Sequence, residues 1–218
     1  MNERIKQIST MVDKGLILAD IGTDHAQLPI ILVSENICDK VYACDVAEGP
    51  LRSAKENINH FGLSDKITTI LSNGLDKVPS DTNGIVIAGM GYITATMILE
   101  NGINRLNDFK QIIVQINRDT TDMRKWISEH EYTITNECYI HEKGHDYVSI
   151  AFNTNYHEKY NDSDILLGPI LKERREEEYL EYCNKQLTKI NTILDKSNGK
   201  APHSERLLKE KKIYENYL

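Results

Sequence analysis

An open, mostly parallel α/β sheet covered by helices is what this 218-residue sequence predicts, on three observations. Short apolar runs recur at 16–19, 41–44, 67–71, 85–88 and 112–115, with room for a crossover helix between most of them. The intervening segments have helical composition. The first run passes directly into Asp20-Ile21-Gly22, a small-residue turn carrying a carboxylate at a strand's carboxyl end, where such sheets open their ligand crevice.

The elements follow in order. Leu16, Ile17, Leu18 and Ala19 are apolar without alternation, as in a strand shielded on both faces. A helix opens near His25 and continues through 30–36. The strand 41–44 delivers Asp45, and Pro50 suits an early position in a helix over 50–61, where its missing N–H leaves no bond unmade. The third strand ends in Ser72-Asn73-Gly74 and the fourth in Ala88-Gly89-Met90-Gly91. A helix over 93–102 precedes the fifth strand, and Met123, Trp126 and Ile127 give 121–130 an apolar face. Residues 132–139 and 147–152 then read as a terminal antiparallel pair, separated by 140–146 with Gly144. The polar interval 153–164 joins two regions, which sets a division into 1–160 and 161–218. Beyond it Leu180, Cys183, Leu187, Ile190 and Leu194 recur at spacings of three and four and require a partner helix. A break at 197–202 and a returning helix with Leu207, Leu208, Ile213, Tyr214, Tyr217 and Leu218 make this a short antiparallel hairpin, with a homodimeric coiled coil as the alternative.

Composition limits the function classes. A net charge of −7 excludes a uniformly basic surface, although 170–218 carries 11 Lys/Arg against 9 Asp/Glu, so any polyanion surface has to be local. No run approaches the roughly 18–20 apolar residues of a membrane span, and the polar start Met1-Asn2-Glu3-Arg4 lacks a secretory signal's hydrophobic segment. A cytoplasmic, non-membrane protein is expected, monomeric in the hairpin reading and dimeric in the alternative. Cys38, Cys44, Cys138 and Cys183 have no metal-ligand spacing and read as free thiols, and no metal is expected.

The strand ends carry the chemistry. Asp45 lies about one βαβ unit beyond Asp20, where a carboxylate accepts bonds from both ribose hydroxyls of a nucleoside. A dinucleotide enzyme would place an acid there too. The first turn separates the two cases: it lacks Gly-x-Gly-x-x-Gly, and Thr23, Asp24 and His25 put side chains where a pyrophosphate needs room. Asp20 and Asp24 would repel a diphosphate but suit the amino and sulfonium charges of S-adenosylmethionine. Asn73, between Ser72 and Gly74, offers an amide to an adenine edge, while Ala88, Gly89 and Met90 form the opposite wall and Gly91 and Tyr92 face a flat base. Each turn, taken alone, is equally an ordinary glycine-assisted connection.

Together with Gly49-Pro50, Asn73-Gly-Leu75, Gln115-Ile-Asn117, Gly144 with Tyr147, and Leu167-Gly-Pro169, the stretch 19–29 and the segment 87–91 resemble the bacterial tRNA adenine-22 N1-methyltransferase family, the TrmK family. The resemblance covers nearly the whole chain. It implies a class I S-adenosylmethionine-dependent, Rossmann-like domain with a carboxy-terminal coiled-coil-like hairpin, making 1-methyladenosine in the D-arm region of tRNA. Carried over, it implies cofactor binding by Asp20, Gly22, Thr23, Asp24, His25, Asp45, Ser72, Asn73, Gly74, Ala88, Gly89 and Met90. The substrate base would meet His25, Gly91, Tyr92, Asn117 and Tyr147, with Asp24 and Asn117 as the catalytic candidates. Asp45 stands where relatives can have glutamate, Asn73 where they have aspartate, Tyr92 where glycine can occur and Val148 where an acid occurs, and Ile116 interrupts a Gln-Pro-Asn sequence.

Methyl transfer proceeds mainly by alignment, and N1 of adenine points into a Watson–Crick pair, so the base must be extruded. Asp24 either orients that base, accepting a proton from its amidine system, or serves only the methionine moiety; His25 assists the base or bonds within its turn. Arg4, Lys6, Arg118, Arg124, Lys125, Lys172, Arg174 and Arg175 are the expected phosphate contacts. A methyltransferase for another RNA or a small molecule, or a non-enzymatic RNA-binding scaffold, are the competing readings.

Overall fold

Seven strands form one sheet in the order β3-β2-β1-β4-β5-β7-β6 in the computed structural model, which describes residues 2–196 and 204–218. β1 (Ile17–Ile21), β2 (Lys40–Asp45), β3 (Ile67–Leu71), β4 (Gly84–Met90) and β5 (Gln111–Ile116) are parallel, and β7 (His145–Tyr156) runs antiparallel between β5 and β6 (Tyr132–Glu142). Both final strands are longer than the sequence predicts. The expected spacer 140–146 shrinks to Lys143-Gly144, both left-handed with φ of 52° and 81°, which is the two-residue turn whose twist matches paired strands.

The continuous apolar runs divide between the sheet's two faces. Leu18, Val41, Ala43, Val86 and Ile113 point into a layer under α1 (Glu3–Met11), α2 (Gln27–Ser34) and α3 (Glu48–His60). Ala19, Ile21, Ile85, Ile87, Ile112 and Val114 point the other way, toward α4 (Tyr92–Asn101), a 3-10 turn at Ile103–Asp108 and α5 (Thr120–Glu129). α1 lies outside the elements predicted from sequence, although Ile5, Ile8 and Val12 give it helical spacing and Asn2 caps it by accepting the amides of Arg4 and Ile5 at 3.1 and 3.4 Å.

The chain crosses from the sheet through 157–161 into α6 (Asp162–Leu167), α7 (Pro169–Arg174), α8 (Glu177–Lys196) and α9 (Ser204–Tyr217). Cys183, Ile190 and Leu194 of the expected seam are buried, Leu180 and Leu187 partly so, in a core shared with Tyr214 and Tyr217 of α9 and with Trp126, Tyr139 and Phe152 of the sheet layer. Arg175, just before α8, donates to the Tyr217 carbonyl at 2.6 Å, so the end of α9 returns to the start of α8. The expected break at 197–202 lies outside the described residues.

One expected RNA contact is buried instead. Arg124 is 2% exposed and bonds Glu137 at 2.7 Å, because a carboxylate on an inward-facing position of β6 needs a cation beside it. Arg124 also donates to the Ile165 and Leu166 carbonyls, and Glu137 accepts the Ile170 and Leu171 amides. Between α6 and α7, Gly168 takes φ of 80°, and a Cβ there would sit 2.5–2.6 Å from the Glu137 oxygens and Arg124 Nη2. Arg174 is likewise engaged, donating to the Glu137 carbonyl and to Asn136 Oδ1.

Candidate active site

Strand order reverses between β1 and β4, and at their carboxyl ends lies a cavity of about 310 Å3, the switch-point position at which open α/β sheets bind ligands. Its first wall is the turn after β1, with Asp20, Gly22, Thr23, Asp24 and His25. Ala88 and Gly89 of β4 form the second, and Asn2, Arg4 and Ile5 of α1 the third.

The turn is bent hard. Gly22, Asp24 and Ala26 all have positive φ, 81°, 48° and 54°, a concentration of left-handed backbone that local bonding has to hold. The amides of Gly22 and Thr23 both donate to the Cys44 carbonyl, at 2.8 and 2.9 Å, and Ala26 donates to the Thr23 carbonyl at 2.9 Å. Gly22 is required twice, by its φ and because a Cβ would collide with Met90 Cε. Asp20 is 5% exposed and has no ion-pair partner among the described residues. Desolvation pushes its pKa up to about 6, the Thr23 hydroxyl tempering and the Asp45 charge adding to the effect. Asp24 and His25 are exposed, with His25 Nε2 at 3.6 Å from Asp24 Oδ1.

Gly89 is the residue that breaks the register of β4 against β5, which shifts between Ala88 and Met90. This bulge turns the strand end out of the ladder. Fully buried Gln115 fills the gap: its Oε1 accepts the Gly89 amide at 3.1 Å and also the Arg4 guanidinium, while its Nε2 donates to the Ile116 carbonyl. Asn117 holds the other side, its amide donating to the Met90 carbonyl and its Nδ2 to the Gly89 carbonyl, each at 2.9 Å. Arg4 Cζ lies 5.2 Å from the Tyr147 ring centre. Thus Arg4, expected at an RNA phosphate, lines the cavity and links it to Tyr147. Sequence alone does not place Arg4 or Gln115 at the cavity, since their meeting depends on α1 folding back over the sheet.

The remaining candidates ring the cavity without lining it. Asp45 ends β2, the strand beside β1, its Oδ1 accepting the Ala47 amide at 3.0 Å. Ser72 is buried in its own turn, donating to the Gly74 carbonyl and accepting the Lys77 amide at 3.0 Å each, whereas Asn73 is exposed at that edge. Gly74 takes φ of 54°. Met90 and Tyr92 pack partly into the core, Gly91 caps α4, and Tyr147 is half-buried. Val46, just after β2, and Ile93, in the first turn of α4, are apolar groups, 68% and 78% exposed, that the strand pattern does not single out.

Comparison with known proteins gives a consistent answer. The family model described as TrmK, tRNA (adenine(22)-N(1))-methyltransferase, matches residues 18–217. The chain is 25% identical over 219 residues to the tRNA (adenine(22)-N(1))-methyltransferase of Bacillus subtilis, covering 98% of this chain and 92% of that protein. Among solved structures, M. capricolum TrmK in complex with S-adenosyl-homocysteine is 30% identical with a TM-score of 0.86, covering 100% of this chain and 97% of that one. Streptococcus pneumoniae Sp1610 in complex with S-adenosyl-L-methionine is 30% identical with a TM-score of 0.87, covering 100% and 99%. A family match across nearly the full length, on a sheet whose switch point carries an acid-walled cavity, makes this chain a member of the TrmK family of tRNA (adenine(22)-N(1))-methyltransferases.

Proposed function

We propose that the chain transfers a methyl group from S-adenosylmethionine to N1 of adenine 22 in tRNA, with the cavity between β1 and β4 holding the methionine end of the cofactor. The observation that carries this assignment of the cavity is that a buried Asp20, without an ion-pair partner among the described residues, and Arg4 line the same cavity of about 310 Å3. That charge set matches a zwitterionic amino acid: Asp20 takes the ammonium, and Arg4 takes the carboxylate. Asp45 accepts the ribose hydroxyls, and Ser72-Asn73-Gly74 and Val46 border the adenine. The bound cofactor supplies an electrophilic methyl on a positively charged sulfur.

The chain's own work is then positional and electrostatic. Asn117 has its Nδ2 committed to the Gly89 carbonyl, which leaves Oδ1 to accept an N6–H of the target adenine. Tyr147 and Tyr92 confine the ring. N1 attacks through its own lone pair, so the positive charge that leaves sulfur arrives on the methylated adenine. Asp24, exposed at the rim, faces that charge and stabilises it, which requires no proton transfer in the methylation step. Residues 1–160 carry this chemistry and 161–218 hold RNA in our reading, and α9 covering the α8 seam supports a monomer. We place the activity in the cytoplasm; among the described residues no helix is long and apolar enough to cross a membrane.

The decisive experiment incubates the protein with labelled S-adenosylmethionine and tRNA bearing adenine or guanine at position 22, followed by nucleoside mapping. Label in 1-methyladenosine at position 22 of the adenine transcript alone is expected; label elsewhere, or none from folded, cofactor-competent protein, overturns the reading. Arg4→Ala is expected to weaken cofactor binding by about ten- to a hundredfold, the cost of a charge-assisted hydrogen bond, with Arg4→Lys between it and wild type. Calorimetric titration checks this, and an unchanged affinity in Arg4→Ala would return Arg4 to RNA binding.

A further inference from the structure

A second chamber, of about 420 Å3, lies on the far side of the Gly89–Asn117 contact from the cofactor cavity, between the loop after β5 and the tail helices. Its size is within the roughly 300–1,000 Å3 of small-ligand sites. Asn117 stands on its rim, so one residue touches both the glycine of the cofactor wall and this chamber.

Its lining is aromatic and acidic. Tyr182 of α8 is half-buried and stacks on Tyr179, with ring centres 5.7 Å apart and planes at 20°, while the Tyr139 ring lies 5.1 Å from it, tilted by 40°. Asp119 and Asp146 also line the chamber, Asp146 next to the tyrosines through Tyr139. Asp146 is held in place: Tyr139 Oη donates to its Oδ1 at 2.6 Å and His141 Nδ1 lies 2.8 Å from the same oxygen, which leaves Oδ2 as a further acceptor. Burial opposes its charge, but the bonds from Tyr139 and His141 outweigh that and keep its pKa below the usual carboxylate value. Val148, 9% exposed, adds an apolar group to the lining.

These groups do not suit a phosphate, because Glu137 neutralises Arg124 and Glu210 pairs with Arg206 at 2.7 Å, which leaves Arg118 against Asp119, Asp122 and Asp146 on the lining. They suit a flat ring with amino or imino donors on its edge. We propose that this chamber is a second nucleobase seat, receiving the base of a tRNA nucleotide adjacent to the methylated adenosine, stacked on Tyr182 with its donor edge toward the carboxylates. The proposal rests on the tRNA methyltransferase reading and adds a recognition site to it. A neighbour held there would keep the backbone strained open while adenine 22 lies in the active site.

The test compares wild type, Tyr182→Ala, Tyr182→Phe and Gln186→Ala on tRNA with the natural base, or an abasic residue, on either side of adenine 22. Tyr182→Ala is expected to lower kcat/KM about tenfold on natural tRNA, as loss of a base-stacking platform does, while cofactor affinity holds and Tyr182→Phe retains activity. One of the two abasic transcripts should lower wild-type kcat/KM similarly and abolish the difference between wild type and Tyr182→Ala. Gln186→Ala, at a chamber residue outside the tyrosine stack, should show a smaller loss with the same transcript dependence. Equal losses on natural and both abasic transcripts, or wild-type behaviour of Tyr182→Ala and Gln186→Ala, would overturn the proposal. Failure of the wild-type protein to methylate adenine 22 would instead overturn the reading beneath it.

Discussion

Glu137→Ala is expected to destabilise the folded chain by about 3–5 kcal/mol, the usual consequence of leaving a buried charge without its partner. Arg124 and Glu137 are 3% and 0% exposed at the side chain, so solvent cannot take over for the missing carboxylate. The loss also orphans the Ile170 and Leu171 amides at the start of α7. Removing both charges, as in Arg124→Met with Glu137→Leu, should cost less than the two single losses combined, because no unpaired ion remains. It should still cost something, since the Ile165 and Leu166 carbonyls lose their donor. Chemical denaturation of Glu137→Ala, Arg124→Met, Glu137→Leu and the double variant measures these costs. The pair ties α5 and β6 to the turn at Gly168 that leads into the tail, so a second readout is available. Glu137→Ala at a temperature where it stays folded should lose tRNA methylation more than cofactor affinity, and equal losses would show that the lock does not orient the tail.

The sheet was legible from sequence because a buried parallel strand has a simple signature. Uninterrupted apolar runs such as Leu16 to Ala19 and Ile85 to Ala88 allow few alternatives, and their carboxyl ends exposed the acidic turn at Asp20 and the bulged glycine at 89. What stayed hidden was long-range. Arg4 lies 111 residues from Gln115, and only a folded sheet shows that the two share a bond beside Gly89. Arg124 read as a surface cation because helix periodicity does not reveal that β6 carries an inward-facing glutamate opposite it. Gly168 was visible within Leu167-Gly-Pro169, but the reason for it, a Cβ that would meet the Arg124–Glu137 pair, is tertiary. Local pattern therefore located the cavity's β1 and β4 walls, whereas its third wall and the chamber beyond Asn117 required the tail and α1 to be folded onto the sheet.

Asp20→Asn should move stability and cofactor affinity in opposite directions. Desolvation holds the folded Asp20 pKa at about 6 against 3.8 for the exposed group, so between those values the folded chain keeps a proton that the unfolded chain has released. The associated stability, about 3 kcal/mol at most, is fully present below pH 3.8, shrinks as pH rises and is gone above about 6, where the buried carboxylate carries an uncompensated charge. At about pH 7.5 the asparagine variant lacks that buried charge, and its ligand-free form should therefore be more stable than wild type by about 1–3 kcal/mol. Cofactor binding reverses the balance. An ammonium in the cavity favours the ionised carboxylate, so wild-type affinity should fall with decreasing pH, approaching tenfold per unit below about 6. The asparagine variant should bind at least about tenfold more weakly near neutrality, with no such pH dependence from this position. Denaturation and calorimetric titration over the same pH range test both halves. A variant less stable than wild type at neutral pH, or a wild-type affinity that stays level through pH 6, would mean that the Asp20 carboxylate is balanced within the fold and leaves the cofactor's ammonium to another group.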